Sequence, residues 1–224
     1  IGSWLDQFTK KLFQLQKKYN FFLIGGDLSQ SKNIVISSNF FGFVSKGKIL
    51  NRTGTKINDD IWVTGNLGES SIGLKIIKKQ IKVNNIVKKY FIKKYLYPKH
   101  FSFGNKIVNY ASSAIDISDG FYGDLNKLVS KKIGASINSK LIPFSNRAIR
   151  LIKNKMINVN DLLLSGDDYE LVFTAHSKYR KRIIRLSMDN NTKITKVGKI
   201  INKNGIYIDN QRINFINKSF EHFS

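Results

Sequence analysis

The first part of the chain carries apolar residues at helical spacing. Trp4, Leu5, Phe8, Leu12 and Leu15 fall on one face of a helix, because side chains three and four positions apart lie above one another. The pattern therefore predicts a helix that is already in progress near the start of the chain.

Two apolar stretches follow this helix. Phe21–Ile24 is a short apolar run, and Asn33–Val44 is rich in β-branched and aromatic residues. This composition predicts strands. In the second stretch apolar side chains occupy both alternating faces, which predicts a strand that is covered on both sides.

From Ser45 onwards, strand and helix patterns alternate. Ser45–Lys48 is typical of a turn, and we place a domain boundary there. The alternation predicts an α/β fold class, with α and β elements combined in mixed sheets. Strands are predicted at Ile61–Thr64, Ala114–Ile117, Ala135–Ile137, Leu171–Thr174, Ile194–Ile200 and Gly205–Ile208, and helices at Ser70–Gln80, between Ile86 and Tyr110, at Tyr122–Val129, between Asn146 and Leu163, and at Lys178–Leu186.

The composition is strongly basic, with 38 Lys and Arg against 15 Asp and Glu, a formal charge of +23. In isolation this charge suggests nucleic acid or an anionic membrane as a partner. The basic residues are spread among many Ile and Asn residues, and no recognition motif accompanies them. We therefore expect no dedicated nucleic-acid partner, only nonspecific attraction to polyanions. A basic nucleic-acid-binding module remains the alternative, which a steeply salt-dependent association with random DNA would favour.

The absence of cysteine excludes disulfides, thiolate zinc sites and a cysteine nucleophile. No apolar run reaches the roughly 20 residues that a membrane-spanning helix needs. We therefore expect a cytoplasmic protein with no membrane partner.

The most informative stretch of the sequence is an acidic strand-to-helix turn. A short apolar run ends at Asp116, and Ser118 and Asp119 precede the predicted helix. Free backbone N–H groups at a helix start favour phosphate, whereas two carboxylates repel it unless a divalent cation lies between them. The first hypothesis is metal-bridged phosphate. The alternative is that Ser118 or Asp119 only caps the helix.

Two further acidic turns resemble this one. Asp27 follows an apolar run and the glycine pair Gly25-Gly26, and Asp167 lies in an acidic run before the strand at Leu171–Thr174. The turn at 65–70 also follows a strand and opens a helix, but such a turn is a weak phosphate signal, and we interpret its glycines as structural. The phosphate loop of P-loop enzymes and the protein-kinase motifs are absent.

Four segments taken together resemble one enzyme family. They are IGGD at 24–27, NRTGTKINDDIWVTGNLGESSIGL at 51–74, SAIDISDGFYGDL at 113–125 and SGDDYELVFT at 165–174. In order and spacing the set resembles the thiamine-monophosphate kinases, of the superfamily of aminoimidazole ribonucleotide synthetase and selenophosphate synthetase. The resemblance runs from about Trp4 to the end of the chain.

The resemblance implies the C-terminal portion of an aminoimidazole ribonucleotide synthetase-like two-domain fold. Residues 1–46 would be a remnant of the N-terminal ATP-binding and dimerisation domain, and residues 47–224 the C-terminal α/β domain. Since the chain begins with Ile1 and lacks a family-like N-terminal portion, we expect a fragment. Asn33–Val44 would contribute to the dimer interface of a full-length homodimer, or would form an ordinary central strand.

The resemblance also implies a reaction, in which ATP gives its γ-phosphoryl group directly to thiamine monophosphate and yields thiamine diphosphate. Carried over by position, the Mg²⁺ ligands would be Asp27, Asp116 and Asp119. The ATP contacts would be Arg52 and Ser118, and the thiamine monophosphate contacts would be Asp167 and Phe220. Asp124 is left out of the site, because it is as well placed to cap or to pair.

The sequence departs from the family in places. Leu28-Ser29-Gln30-Ser31 stands where the family has two threonines, an arginine and a glycine, and Asp167 stands where it usually has Glu. Further acidic magnesium ligands of the family belong to the N-terminal portion that this sequence lacks. Two alternatives therefore stay open: a sister enzyme of the superfamily acting on another small anionic substrate, and a non-catalytic fragment.

Overall fold

The computed structural model describes residues 2–98, 103–129 and 132–213. Contacts within the chain divide it into two units, Ile1–Phe43 and Val44–Ser224. The proposed assignment of residues 1–46 and 47–224 to two domains of a longer protein stays a prediction.

The first unit contains one helix, α1 (Gly2–Tyr19), which confirms the helix predicted from the apolar spacing. The rings of Trp4 and Phe8 stack one helical turn apart, with centroids separated by 5.4 Å. Every described residue of α1 is at least partly exposed.

The strands predicted at Phe21–Ile24 and Asn33–Val44 are wrong, because neither segment pairs with another strand among the described residues. The expectation that both faces of the second segment are covered is also wrong. Phe22 and Phe41 are more than three-quarters exposed. An isolated β-like sequence does not form a strand by itself, since its stability comes from the neighbouring strand and from packing on its faces.

The second unit begins with the turn predicted at Ser45–Lys48, where the Lys48 N–H donates to the Ser45 carbonyl at 2.9 Å. The strands that follow form a mixed sheet in the order β2-β4-β1-β5-β3-β6-β7, with β3 and β6 parallel and the other neighbours antiparallel. They are β1 (Asp60–Thr64), β2 (Ala111–Asp116), β3 (Gly134–Ile137), β4 (Leu171–Ala175), β5 (Ile194–Ile201), β6 (Gly205–Ile208) and β7 (Gln211–Ile213). The six strands predicted in this unit are confirmed, and the three-residue β7 was missed.

The predicted helices of this unit are also confirmed. They are α2 (Glu69–Ile77), α3 (Asn85–Leu96), α4 (Phe103–Ile107), α5 (Phe121–Leu128), α6 (Asn146–Lys153), α7 (Val159–Leu164) and α8 (Arg180–Asp189). Two 3-10 turns were not predicted, at Ser139–Leu141 and Ser177–Tyr179.

The sheet is covered on both faces because its apolar residues alternate. In β1, Val63 lies in the cluster that includes Leu125 of α5, whereas its neighbour Trp62 lies in the cluster that includes Ile107 of α4 and Ile183 of α8. A third cluster joins α2, α3, α6 and α7. Strands buried on both faces are typical of α/β architectures, and the predicted fold class is confirmed.

The sheet register brings three connections to one end of the sheet. Asp116, at the end of β2, pairs with Leu171, at the start of β4, and Val63, near the end of β1, pairs with Val172. Because β4 is antiparallel to both neighbours, the turns after β1 and β2 meet the loop that precedes β4. Among residues 2–98, 103–129 and 132–213, no helix is long and apolar enough to cross a membrane.

Candidate active site

The turn after β2 holds three of the predicted site residues. Asp116 is exposed, and Ser118 and Asp119 are partly buried. The backbone N–H groups of Ser118 and Asp119 donate to Asp124 Oδ2 at 3.0 and 2.9 Å. The hypothesis that free N–H groups at this turn receive phosphate is therefore wrong for these two, since the chain's own carboxylate already accepts them. Asp124 is fully buried and caps the turn, one of the two roles considered for it.

A lysine one helical turn further on completes this arrangement. Lys127 Nζ donates to Asp119 Oδ2 at 2.5 Å and to Asp124 Oδ1 at 2.8 Å. The hydrogen bond to Asp119, followed by that to Asp124, raises the pKa of Lys127. One ammonium group therefore balances part of the charge of two carboxylates, and one of those two is a predicted metal ligand.

The loop before β4 is fastened to this turn through its backbone. The Asp167 N–H donates to the Ser118 carbonyl at 3.0 Å, and the Tyr169 N–H donates to the Ile117 carbonyl at 2.9 Å. Asp167 and Tyr169 adopt left-handed conformations, with φ of 67° and 50°. Gly166 packs against the Ser118 carbonyl so closely that no Cβ would fit. These contacts bring Asp167 to the turn that holds the predicted metal and ATP residues.

The next residue of the loop was missed by the sequence reasoning. Asp168 accepts hydrogen bonds from the backbone N–H groups of Gly68 at 2.6 Å and Ser70 at 3.2 Å, at the start of α2. Burial raises the pKa of the Asp168 carboxyl to about 7, against the lowering effect of these two N–H groups. The interpretation of the turn at 65–70 as structural is confirmed, because its N–H groups bind Asp168. The signal in the sequence was the doubled aspartate at 167–168.

Two more acidic residues at this end of the sheet are buried and paired. Glu69 accepts from Tyr90 Oη at 2.6 Å and forms an ion pair with Lys94 at 2.6 Å. Glu170 accepts from Thr64 Oγ1 at 2.5 Å. Each carboxylate has a partner within the fold, so neither is buried without a hydrogen bond.

Arg52 lies on a segment that runs along the outer edge of β2. The carbonyl of Asn51 accepts from the Ala114 N–H at 2.9 Å, and Thr55 Oγ1 lies 2.6 Å from Ser113 Oγ. Arg52 itself is exposed. Because Ala114 lies two residues before Asp116, Arg52 is on the same strand edge as the acidic turn.

Two predicted site residues remain, Asp27 and Phe220. Asp27 lies in the first unit, is exposed, and accepts a hydrogen bond from Ser29 Oγ at 2.9 Å. Its participation in a common site stays a prediction. Phe220 lies outside the described residues.

The donor chemistry of the acidic turn fits a hard divalent cation. Asp116 and Asp119 offer carboxylate oxygens, the ligands that Mg²⁺ prefers, on one exposed turn. Within residues 2–98, 103–129 and 132–213, no group of three or more His, Asp or Glu side chains is placed to hold a metal ion.

Comparisons with known proteins place the chain among one family. No protein-family model matches the sequence. The thiamine-monophosphate kinase of Buchnera aphidicola subsp. Acyrthosiphon pisum (strain APS) is 36% identical over 226 residues, an alignment that covers 98% of this chain and 69% of that protein. The thiamine-monophosphate kinase of Buchnera aphidicola subsp. Schizaphis graminum (strain Sg) is 38% identical over 228 residues, with the same coverage, 98% and 69%.

Solved structures of thiamine-monophosphate kinases are also similar to this chain. The crystal structure of thiamine-monophosphate kinase from Stenotrophomonas maltophilia K279a superimposes with a TM-score of 0.67 and 25% identity, covering 76% of this chain and 56% of that one. The structure described as AaThiL complexed with AMPPCP and TMP gives a TM-score of 0.66 and 25% identity, with 78% and 54% covered. The chain thus spans a little over half the length of these solved chains.

A more distant structure, the HypE–HypF complex, shares the fold alone, with a TM-score of 0.55 and 10% identity. This agrees with the predicted aminoimidazole ribonucleotide synthetase-like fold. With 36–38% identity across almost the whole sequence and a matching fold, the chain belongs to the thiamine-monophosphate kinase family.

Proposed function

We propose that the protein takes part in the ATP-dependent phosphorylation of thiamine monophosphate to thiamine diphosphate, with Mg²⁺ as cofactor. The observation that carries the proposal is the hydrogen bond between the Asp167 N–H and the Ser118 carbonyl, at 3.0 Å. It fastens the predicted substrate residue to the turn that holds the predicted ATP and metal residues. The relatives supply the activity, and the structure with AMPPCP and TMP supplies the ligand classes.

In this proposal Asp116 and Asp119 bind Mg²⁺. Asp27 is likewise proposed as a Mg²⁺ ligand. When bound, magnesium neutralises charge on the phosphates, the main requirement of phosphoryl transfer. Ser118 contacts ATP through its hydroxyl group, because Asp124 already occupies its backbone N–H. Arg52 is suited to phosphate oxygens, since a guanidinium group donates two parallel hydrogen bonds.

On the acceptor side, Asp167 contacts thiamine monophosphate and Phe220 stacks on it. No covalent intermediate is needed, because holding the two phosphates in line makes the reaction effectively intramolecular. We include in the proposal a homodimer of the full-length protein, formed through the N-terminal domain, and a cytoplasmic location.

Calorimetry tests the proposal most directly. We expect ATP to bind this chain only with Mg²⁺, binding to be lost in Asp116→Asn, and thiamine monophosphate to change the ATP affinity. The matched control is Asp161→Asn, since Asp161 is exposed and pairs with Lys75. ATP binding that is indifferent to Mg²⁺, to Asp116→Asn and to thiamine monophosphate would show attraction to the basic surface only. The chain would then be a non-catalytic fragment.

A further inference from the structure

Tyr169 presents an exposed aromatic ring on a left-handed backbone. Its side chain is 46% exposed, so the ring is not part of the buried core. Its backbone adopts φ of 50°, a conformation that a bulky residue rarely adopts. The Ile117 carbonyl holds this backbone by accepting the Tyr169 N–H at 2.9 Å. The fold thus maintains an exposed aromatic ring on a strained backbone, a combination that is concentrated at binding sites.

The surroundings of this ring are acidic. The Tyr169 hydroxyl lies 3.4 Å from Asp167 Oδ1, and the phenol is within electrostatic reach of the Asp116 carboxylate and of Tyr95 on α3. An aromatic face attracts cations through its quadrupole, and neighbouring carboxylates add to this attraction. The chemistry of the position therefore selects a flat cationic group.

We propose that Tyr169 binds the cationic thiazolium ring of thiamine monophosphate through its ring face, with the Asp167 carboxylate at the edge of the bound ring. This inference rests on the proposed function and identifies a second aromatic contact besides Phe220. If Mg²⁺ occupies Asp116, Asp167 remains the carboxylate next to the ring.

The covalent structure of the substrate supports this position. Only a two-carbon linker separates the thiazolium ring of thiamine monophosphate from its phosphate ester. A residue that binds the thiazolium ring must therefore lie beside the groups that hold the phosphate. Tyr169 meets this condition, because its backbone N–H donates a hydrogen bond to the carbonyl of Ile117, which lies between Asp116 and Ser118.

The decisive experiment measures ligand binding to the full chain by calorimetry, in the presence of Mg²⁺ and AMPPCP, for wild type, Tyr169→Phe and Tyr169→Leu. The two ligands are thiamine monophosphate and the phosphate ester of its neutral analogue, in which a pyrrole ring replaces the thiazolium. Both variants are unbranched at Cβ, so the strain of the backbone is the same in each. Binding of AMPPCP itself reports whether each variant is folded.

We expect Tyr169→Leu to weaken binding of thiamine monophosphate about tenfold, because it removes the aromatic face, and Tyr169→Phe to weaken it less than about threefold. Binding of the neutral analogue should change less than about threefold in both variants. Equal weakening for both ligands would mean ordinary apolar contact. Equal weakening of thiamine monophosphate binding in Tyr169→Phe and Tyr169→Leu would mean that the hydroxyl acts by orienting Asp167. Either result would overturn the proposal.

Thiamine without its phosphate, together with an assay of phosphoryl transfer, separates this inference from the proposed function. Transfer by wild type with unchanged substrate binding in Tyr169→Leu would overturn the inference alone. Thiamine binding that depends on the Tyr169 ring, without any transfer, would overturn the kinase function alone. Absence of both transfer and thiamine binding in wild type would overturn both.

Discussion

Two strand-to-helix turns at the same end of the sheet use their carboxylates in opposite ways. In the turn after β2, Asp116 and Asp119 reach the surface, while the buried Asp124 accepts the backbone N–H groups. In the turn after β1, Glu69 is buried, and the N–H groups bind Asp168 from a different loop. In each turn a carboxylate of the protein accepts the backbone N–H groups. Only the first turn also presents carboxylates to solvent.

The comparison shows that a strand, a glycine and an acidic residue before a helix do not define a phosphate site by themselves. Whether the N–H groups are available depends on which side chain reaches them. At the first turn the cap comes from within α5, five or six residues further on. At the second it comes from about a hundred residues away.

Removing the internal cap of the first turn should have the largest effect. Asp124→Ala leaves the partly buried backbone N–H groups of Ser118 and Asp119 without their acceptor and removes one of the two carboxylates that pair with Lys127. We expect the free energy of unfolding in urea to fall by about 3 kcal/mol. The control is Asp161→Ala, which removes an exposed ion pair with Lys75 and should cost less than about 1 kcal/mol. Similar losses in the two variants would contradict the role of Asp124 as a buried cap.

The cap of the second turn should make stability depend on pH. The pKa of Asp168 is raised to about 7 in the folded protein, so between about pH 4 and 7 the folded state holds a proton that the unfolded state has released. Stability is therefore lost as pH rises through this range.

Asp168→Asn abolishes this titration. We expect urea unfolding to show wild type losing on the order of 2 kcal/mol relative to the variant between pH 4 and 7. Groups that titrate equally in wild type and variant cancel in this comparison. Because Glu69 and Glu170 face Asp168, amide variants of these two residues are measured in the same way. A constant difference across the range would show that Asp168 does not titrate there.

Lys127 should compete with a metal ion at the first turn. Its ammonium group bonds to Asp119, a predicted Mg²⁺ ligand, and adds a positive charge beside the site. We expect Lys127→Met to tighten Mg²⁺ binding about tenfold, because this repulsion is removed, and the effect should shrink at high salt. Lys75→Met, at an exposed ion pair elsewhere, is the control and should leave Mg²⁺ affinity unchanged. Weaker Mg²⁺ binding in Lys127→Met would show instead that the lysine orients Asp119 for the metal.

The smallest expected effect concerns the strained loop. Asp167 has φ of 67°, which glycine adopts without the steric cost that a Cβ brings. Part of this gain is offset by the greater freedom of glycine in the unfolded chain. We expect Asp167→Gly to raise the free energy of unfolding by about 0.5 kcal/mol while weakening the binding of thiamine monophosphate.

Asn210→Gly is the matched control for this loop, since Asn210 has φ of 71° and lies outside the proposed site. It should raise stability similarly without changing substrate affinity. A loss of stability in Asp167→Gly alone would show that the carboxylate, and not the backbone conformation, stabilises the loop.

The elements of the second unit were predictable because their patterns are local. The continuous apolar run of β1 predicts a buried strand, and the apolar spacing of α5 predicts a helix with one buried face. The patterns at Phe21–Ile24 and Asn33–Val44 were as clear, yet no strand forms there. A strand requires a hydrogen-bonding neighbour, and a segment's own sequence does not supply one.

The acidic motifs of the candidate site were likewise visible in the sequence, and the ordered set of motifs identified the family. The sequence did not indicate which carboxylates would be exposed. Asp167 and Asp168 are adjacent and chemically identical, but one lies at the turn after β2 and the other caps α2. Asp167 contacts Ser118, and Asp168 contacts Gly68, so their neighbours come from distant parts of the chain.

The α/β fold class, six of the seven described strands, the α-helices after residue 44 and the family therefore followed from the sequence alone. Periodicity and motif order are properties of consecutive residues, and they survive without tertiary contacts. The structure was needed to show that Asp124 and Asp168 cap two turns and that Lys127 pairs with Asp119. The role of Asp168 depends on antiparallel β4, because strand pairing brings the loop before β4 to the turn after β1.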